Sequence, residues 1–121
     1  MVSAIKFGFL MFASMVLAYP SSPSRSLLLI QVEPQNGSST VTSLTCNPLG
    51  GSHPNPQLAC KQLTSVKGLI ENIPPEEGIA CLAVVDPVTV TIQGNFSGKH
   101  IDFTHEYSNA CEAGVQLGHL L

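Results

Sequence analysis

Four cysteines constrain this chain more than any other feature of it. Cys46, Cys60, Cys81 and Cys111 are the full set among 121 residues. An even number in a small domain made in an oxidising space reads as a disulfide framework. Four cysteines allow three pairings, and their order along the chain does not choose among them. Pairing neighbours is the simplest arrangement. In the chain-entropy picture its two closed loops contribute about 3 and about 3.6 kcal/mol. A domain of this size has a thin core and depends on such help.

The first residues point to that oxidising space. Lys6 supplies a positive start, Phe7 to Leu17 is an apolar run of 11, and Val16 and Ala18 are the small residues a signal peptidase prefers before its cut. Crossing a bilayer takes about 20 apolar residues, so an export signal fits better than an anchor. The expected organisation is a signal peptide over 1–18, a mobile Pro/Ser tail over 19–25 (YPSSPSR), and one domain over 26–121, secreted to the outside of the cell. Cutting after Ala18 removes Lys6 and leaves Arg25, Lys61, Lys67 and Lys99 against eight acids. There is no basic patch or Arg-rich run, so nucleic acid has no electrostatic purchase. After signal removal no membrane partner is expected.

Ser26–Glu33 (SLLLIQVE) is apolar and strand-like, and Pro34 to Gly37 breaks it into a turn. Thr40–Thr45 is rich in β-branched residues and pairs with it as an antiparallel hairpin. The Pro/Gly run from Cys46 to Pro56 excludes helix and central strand. Asn55-Pro56 then supplies a helix cap and first turn. Ala59, Leu63, Val66 and Ile70 form one apolar stripe, so a single helix is expected to run along them until Pro74-Pro75. Val88–Ile92 alternates with period two, residues 94–98 make a turn, and Ile101, Phe103 and His105 share one face of a following strand. The fold class is α+β: an antiparallel sheet of about five strands, one main helix with room for a short second one packed on one side, and two disulfides.

Sites for chemistry are scarce. His100 and His105 sit five apart on a strand, which sends them to opposite faces, and no metal-ligating spacing occurs. The histidines, His53 and His119 included, read as solvated, and no metal or cofactor is expected. No motif places a nucleophile beside a base, and the adjacent Glu76 and Glu77 read as a solvated pair, so the chain is not expected to be an enzyme. Two glycosylation sequons, at Asn36 and Asn95, fall in expected turns.

Residues 81–87 (CLAVVDP) leave two readings open. Ala80 to Val85 is apolar enough for a core strand. Pro87 removes a backbone donor, and the preceding PEEG stretch favours the surface. An extended apolar segment between a disulfide and a proline could instead lie as an added strand in a peptide-binding cleft.

Particular motifs settle the choice by resemblance. LTCNPLGGSHPNPQLAC (44–60), CLAVVDPVTVTIQG (81–94), GNFSG (94–98) and YSNACE (107–112) occur in this order. Together they resemble the Streptomyces-type subtilisin inhibitor family over roughly residues 26–115. The resemblance implies bridges Cys46–Cys60 and Cys81–Cys111, and a sheet with helices on one side that often dimerises through the sheet. It implies a secreted, reversible inhibitor of subtilisin-like, and by its small residue at 83 elastase-like, serine proteases. The reactive bond would be Ala83–Val84, the binding loop Cys81, Leu82, Val85, Asp86 and Pro87, and Asn109 would support the loop from behind. The chain departs from the family's usual pattern at Leu82, often proline, at Ala83, usually larger or basic, and at Val85, usually aromatic. A secreted interaction protein on the same scaffold that no longer inhibits is the alternative.

Overall fold

The computed structural model describes residues 26–121. The signal peptide and tail expected over 1–18 and 19–25 lie outside the described residues.

Four strands form one antiparallel sheet: β1 (Ser26–Pro34), β2 (Thr40–Cys46), β3 (Val88–Phe96) and β4 (Lys99–Tyr107), in the order β2-β1-β3-β4. The period-two pattern decides which face is buried. Leu28 and Ile30 of β1, Leu44 of β2, Val88, Val90 and Ile92 of β3, and Ile101 of β4 point inward. Leu27, Leu29, Thr89, Thr91, Asp102 and Thr104 alternate with them on the other face. Two helices, α1 (Pro56–Ser65) and α2 (Ala110–Leu117), cover the inward face, with α1 on β2 and α2 across β3 and β4. Ala59, Leu63, Ala113, Leu117 and Leu120 close the core from above. The outer face is polar apart from the exposed Leu27, Leu29 and Val41.

The sheet therefore has four strands, not about five. Residues 81–87 do not form one, because they run free of the ladder along the surface. The helix is also shorter than its apolar stripe suggests. It ends at Ser65, and Lys67 and Gly68 turn left-handed at φ 55° and 78°. The Gly68 amide reaches back to the Leu63 carbonyl (2.9 Å) and the Lys67 amide to that of Thr64 (3.1 Å), a Schellman stop. Ile70 still enters the core, from a separate 3-10 turn (Ile70–Asn72). Likewise β3 runs to Phe96 and the turn is only Ser97-Gly98, both with positive φ, the two-residue hairpin whose twist suits flanking strands. Asn95 consequently lies in the strand rather than in a turn.

Among the histidines, His53 is not solvated. It is buried, its Nδ1 accepts the Asn55 amide (2.9 Å), and its Nε2 faces the Leu120 carbonyl at 3.1 Å. Since Nδ1 accepts, Nε2 carries the proton and donates. This pins the chain's end to the loop before α1. The C-terminal segment itself is α2 followed by a 3-10 turn (Gly118–Leu120). Gln62 of α1 holds it there, donating to the Leu117 carbonyl (2.6 Å) and accepting the His119 amide (2.9 Å).

Topology fixes where residues 81–87 emerge. The register pairs Val88 with Pro34 on one side and with Tyr107 on the other. The segment entering β3 thus surfaces where β1 ends and where β4 turns into α2.

Candidate functional site: a braced, exposed loop

Residues 82–86 are all exposed, and the apolar ones extremely so: Leu82 is 79%, Val84 52% and Val85 82% accessible. Three aliphatic side chains side by side in water lose the ~1.5–3 kcal/mol each would gain on burial. Such a segment cannot be explained by the stability of this molecule alone.

Its backbone is nevertheless held at several points. At the start, Cys81 is bonded to Cys111 in α2, and the other bridge, Cys46–Cys60, ties β2 to α1. At the end, the Asp86 amide donates to the Ser108 carbonyl (2.8 Å), and the Gln35 amide donates to the Pro87 carbonyl (2.9 Å). In the middle, the Val84 amide donates to the Leu82 carbonyl (2.8 Å), closing a three-residue turn centred on Ala83.

Asn109 supports the turn from below. It is buried, and its side chain spends both ends of its amide. Oδ1 accepts the Glu112 amide (2.8 Å), capping α2, while Nδ2 donates to the Val84 carbonyl (2.8 Å) and, at 3.4 Å, to that of Leu82. One side chain thus grips carbonyls on both sides of the Ala83–Val84 peptide bond. Its position is inherited from α2, which Cys111 fastens to the same loop.

The structure brings together Cys81, Leu82, Ala83, Val84, Val85, Asp86, Pro87, Asn109 and Cys111. The sequons stand apart from one another. Asn36 is exposed in the turn between β1 and β2, next to Gln35 and hence beside Pro87; Asn95 is exposed on β3, paired across the sheet with Leu27. The anchors at Ser108 and Gln35 were not foreseen, because both act through main-chain atoms that leave no mark in the sequence. Asn109 did leave one as a helix cap, in the Asn-x-x-Glu spacing with Glu112.

Among the described residues no Ser or Thr hydroxyl is hydrogen-bonded to a histidine or carboxylate side chain. His105 and Ser108 line the same open groove of about 470 Å³, with Tyr107 and Glu112. His105 packs between Phe103 and Tyr107, and no hydrogen bond joins it to Ser108 among the described residues. Burial pushes the Tyr107 phenol above its ordinary range.

Comparison with known proteins gives a family and a matching fold. The family described as subtilisin inhibitor-like matches residues 23–109. "Subtilisin inhibitor-like protein 15" of Streptomyces bikiniensis is 37% identical over 106 residues, covering 79% of this chain and 92% of that protein. "Subtilisin inhibitor-like protein 5" of Streptomyces fradiae is 32% identical over 77 residues, 63% of this chain and 72% of the relative. The fold matches, with a TM-score of 0.64 and 30% identity, a chain of the crystal structure of Streptomyces caespitosus sermetstatin in complex with Bacillus licheniformis subtilisin, covering 78% of this chain and 93% of that one. With its sheet, its two bridges and its exposed loop in place, the chain belongs to the subtilisin inhibitor-like family.

Proposed function

We propose that this protein is a secreted, reversible inhibitor of subtilisin-like serine proteases and that Ala83–Val84 is the bond it offers them. Members of its family are protease inhibitors and not enzymes. The observation that carries the reading is the pairing of extreme exposure at Leu82 and Val85 with a backbone held on both sides of Ala83.

The chemistry follows from what is held. A protease aligns an extended peptide in its cleft, and its serine attacks the carbonyl carbon of residue 83. The loop arrives already ordered, so less entropy is lost on binding and more contact energy appears as affinity. If the bond opens, the acyl side stays tied through Cys81 to Cys111. The new amine on Val84 stays tied through Asn109, through Asp86 to Ser108, and through Pro87 to Gln35. Neither half diffuses away, and re-formation of the bond competes with hydrolysis. An interface of about 800 Å² on each partner suits such a complex.

Ala83 directs the choice of target. Its methyl buries little, worth under about 1 kcal/mol, so main-chain pairing and Leu82 carry much of the affinity. Enzymes with small or shallow apolar pockets, subtilisin-like and elastase-like, fit best. A deep acidic pocket would bury a carboxylate with no cation to meet it.

The same reading takes residues 1–18 as the export signal and 19–25 as a tail, with N-glycans at Asn36 and Asn95 where the host cell makes them. Where Asn95 carries no glycan, it takes the outer sheet face, with Leu27 and Leu29, as a homodimer interface, which sedimentation of the purified protein tests directly; a glycan on Asn95, the cross-strand partner of Leu27, would block that face.

Titration of the mature protein against subtilisin, elastase, chymotrypsin and trypsin tests the function. Stoichiometric loss of subtilisin activity is expected. Rapid cleavage at many bonds without inhibition would instead mark a non-inhibitory interaction protein on the same scaffold.

A further inference from the structure

We propose that Asn36 is a site of spontaneous deamidation and that its isoaspartyl product loosens the anchor of the exposed loop at Pro87. The proposal starts from the chemistry of asparagine next to its following residue. The backbone nitrogen of residue i+1 attacks the side-chain Cγ. A C–N bond forms, ammonia leaves with the nitrogen's proton, and a five-membered succinimide results. Water then opens the ring at either carbonyl, giving aspartate or isoaspartate. The net change is asparagine plus water to an acid plus ammonia, with no oxidant or reductant needed.

The chain has six asparagines, and the structure separates them. Asn47 and Asn55 precede prolines, whose nitrogens carry no proton to lose. Asn72 precedes the buried, β-branched Ile73, and Asn95 precedes the buried Phe96 within β3. The Asn109 amide is occupied at both ends by Glu112, Val84 and Leu82. Asn36 alone precedes a glycine, which offers the attacking nitrogen no side chain to clear. Asn36, Gly37 and Ser38 are all exposed to water. A Cβ added at Gly37 would meet only the Pro34 ring, at 3.4 Å and beyond, so the turn has room to adjust.

Position gives the reaction its consequence. Asn36 directly follows Gln35, whose amide donates to the Pro87 carbonyl at 2.9 Å, and Pro34 is in register with Val88. This is one of the three supports on the leaving-amine side of Ala83–Val84, beside Asn109 and the Asp86–Ser108 bond. Isoaspartate routes the main chain through the side chain, inserting a methylene between the residue-36 Cα and Gly37, one residue from Gln35, and adding a negative charge. The connection from Pro34 to Thr40 must then close with different geometry, and the Gln35–Pro87 bond is the first to feel it. An N-glycan on the same nitrogen would block the loss of ammonia.

The experiment uses mature protein from a bacterial host, where Asn36 carries no glycan, incubated for weeks at mildly alkaline pH. Isoaspartate-directed methylation with peptide mapping is expected to find the product at Asn36, in the tryptic peptide 26–61, and none at Asn72, Asn95 or Asn109. Hydrogen exchange at the Gln35 amide is expected to quicken severalfold in the aged protein and not in Asn36→Gln treated alike. Absence of isoaspartate at Asn36, or its presence with unchanged exchange at Gln35, overturns the proposal. Its bearing on inhibition rests on the loop reading above: aged protein should be hydrolysed by subtilisin severalfold faster than fresh. Fresh protein that fails to inhibit would sink that reading while the methylation and exchange results still decide this one.

Discussion

The Nδ2 of Asn109 donates to the Val84 carbonyl at 2.8 Å while its Oδ1 accepts the Glu112 amide at the same distance, so one buried side chain caps a helix and braces the exposed loop together. The two roles can be separated. Asn109→Ala removes both and is expected to lower stability by about 1–2 kcal/mol. Asn109→Asp keeps an oxygen for the Glu112 amide but turns a donor into an acceptor facing the Val84 carbonyl. It should retain most of the helix cap and still be cleaved by subtilisin faster than the parent protein. Chemical denaturation and the rate of loop hydrolysis, measured on both variants, check this. Equal cleavage of parent and Asp variant would show that the loop does not need the donor.

Ala83→Lys should redirect binding toward trypsin-like enzymes. The side chain at 83 is exposed, so the change should leave the fold untouched while supplying the cation an acidic pocket needs. Inhibition constants for trypsin and subtilisin, measured side by side, decide it. Trypsin left unaffected while subtilisin inhibition persists unchanged would remove position 83 from the specificity role.

Loss of the Cys81–Cys111 bridge should convert the loop to an ordinary substrate. The double variant Cys81→Ser with Cys111→Ser frees the acyl side of the bond from α2. A stability loss of about 2–4 kcal/mol is expected, together with rapid cleavage after residue 83. The matched loss of Cys46–Cys60 should lower stability comparably and leave a loop that still resists cleavage, since that bridge ties β2 to α1. Mass spectrometry of the cleavage products distinguishes the two.

Much of this was legible in the sequence because the signals were local. Alternation in β1 and β3, the Asn55-Pro56 helix start and the order of four motifs carried the sheet, α1 and the family. What failed was long-range. The stripe from Ala59 to Ile70 looked continuous, yet Lys67 and Gly68 turn left-handed between its members. The composition of Ala80–Val85 left core strand and displayed loop open and only resemblance chose the loop; the physical reason is in the ladder, where β1 already has its neighbours in β2 and β3. His53 looked like a loop residue because its partner, the Leu120 carbonyl, lies 67 positions away. Main-chain anchors at Ser108 and Gln35 have no sequence signature at all.

Alkaline pH should weaken the fold through Tyr107. Burial raises its phenol above the ordinary 10.0, so the folded state holds that proton more tightly than the unfolded one. The contribution is fully present below pH 10.0 and is lost as pH rises through the folded value. Thermal unfolding of the parent protein should therefore drop more steeply above that pH than unfolding of Tyr107→Phe, which has no proton to lose. Parallel curves for the two proteins would rule Tyr107 out as the cause.

Two glycines should respond to alanine in opposite directions. Gly94 sits in β3 at φ +143°, where an added Cβ would lie 2.0 Å from the Leu27 carbonyl oxygen and 3.0 Å from the Leu28 Cα. Those contacts are main chain of a central strand, flanked by β2 and β3, and neither can yield without moving the ladder. Gly94→Ala should cost about 3 kcal/mol or more, through overpacking and a backbone conformation that alanine rarely adopts. Gly114 lies inside α2, and a Cβ there would meet nothing within 4 Å. Alanine at that position restricts the unfolded chain and favours the helix, for a gain of about 0.4–1 kcal/mol. Because α2 carries both Cys111 and the residue capped by Asn109, Gly114→Ala should also slow hydrolysis of the loop. Denaturation midpoints give the two signs, and a destabilised Gly114→Ala would mean that the helix is held in its present geometry by something other than its own preference.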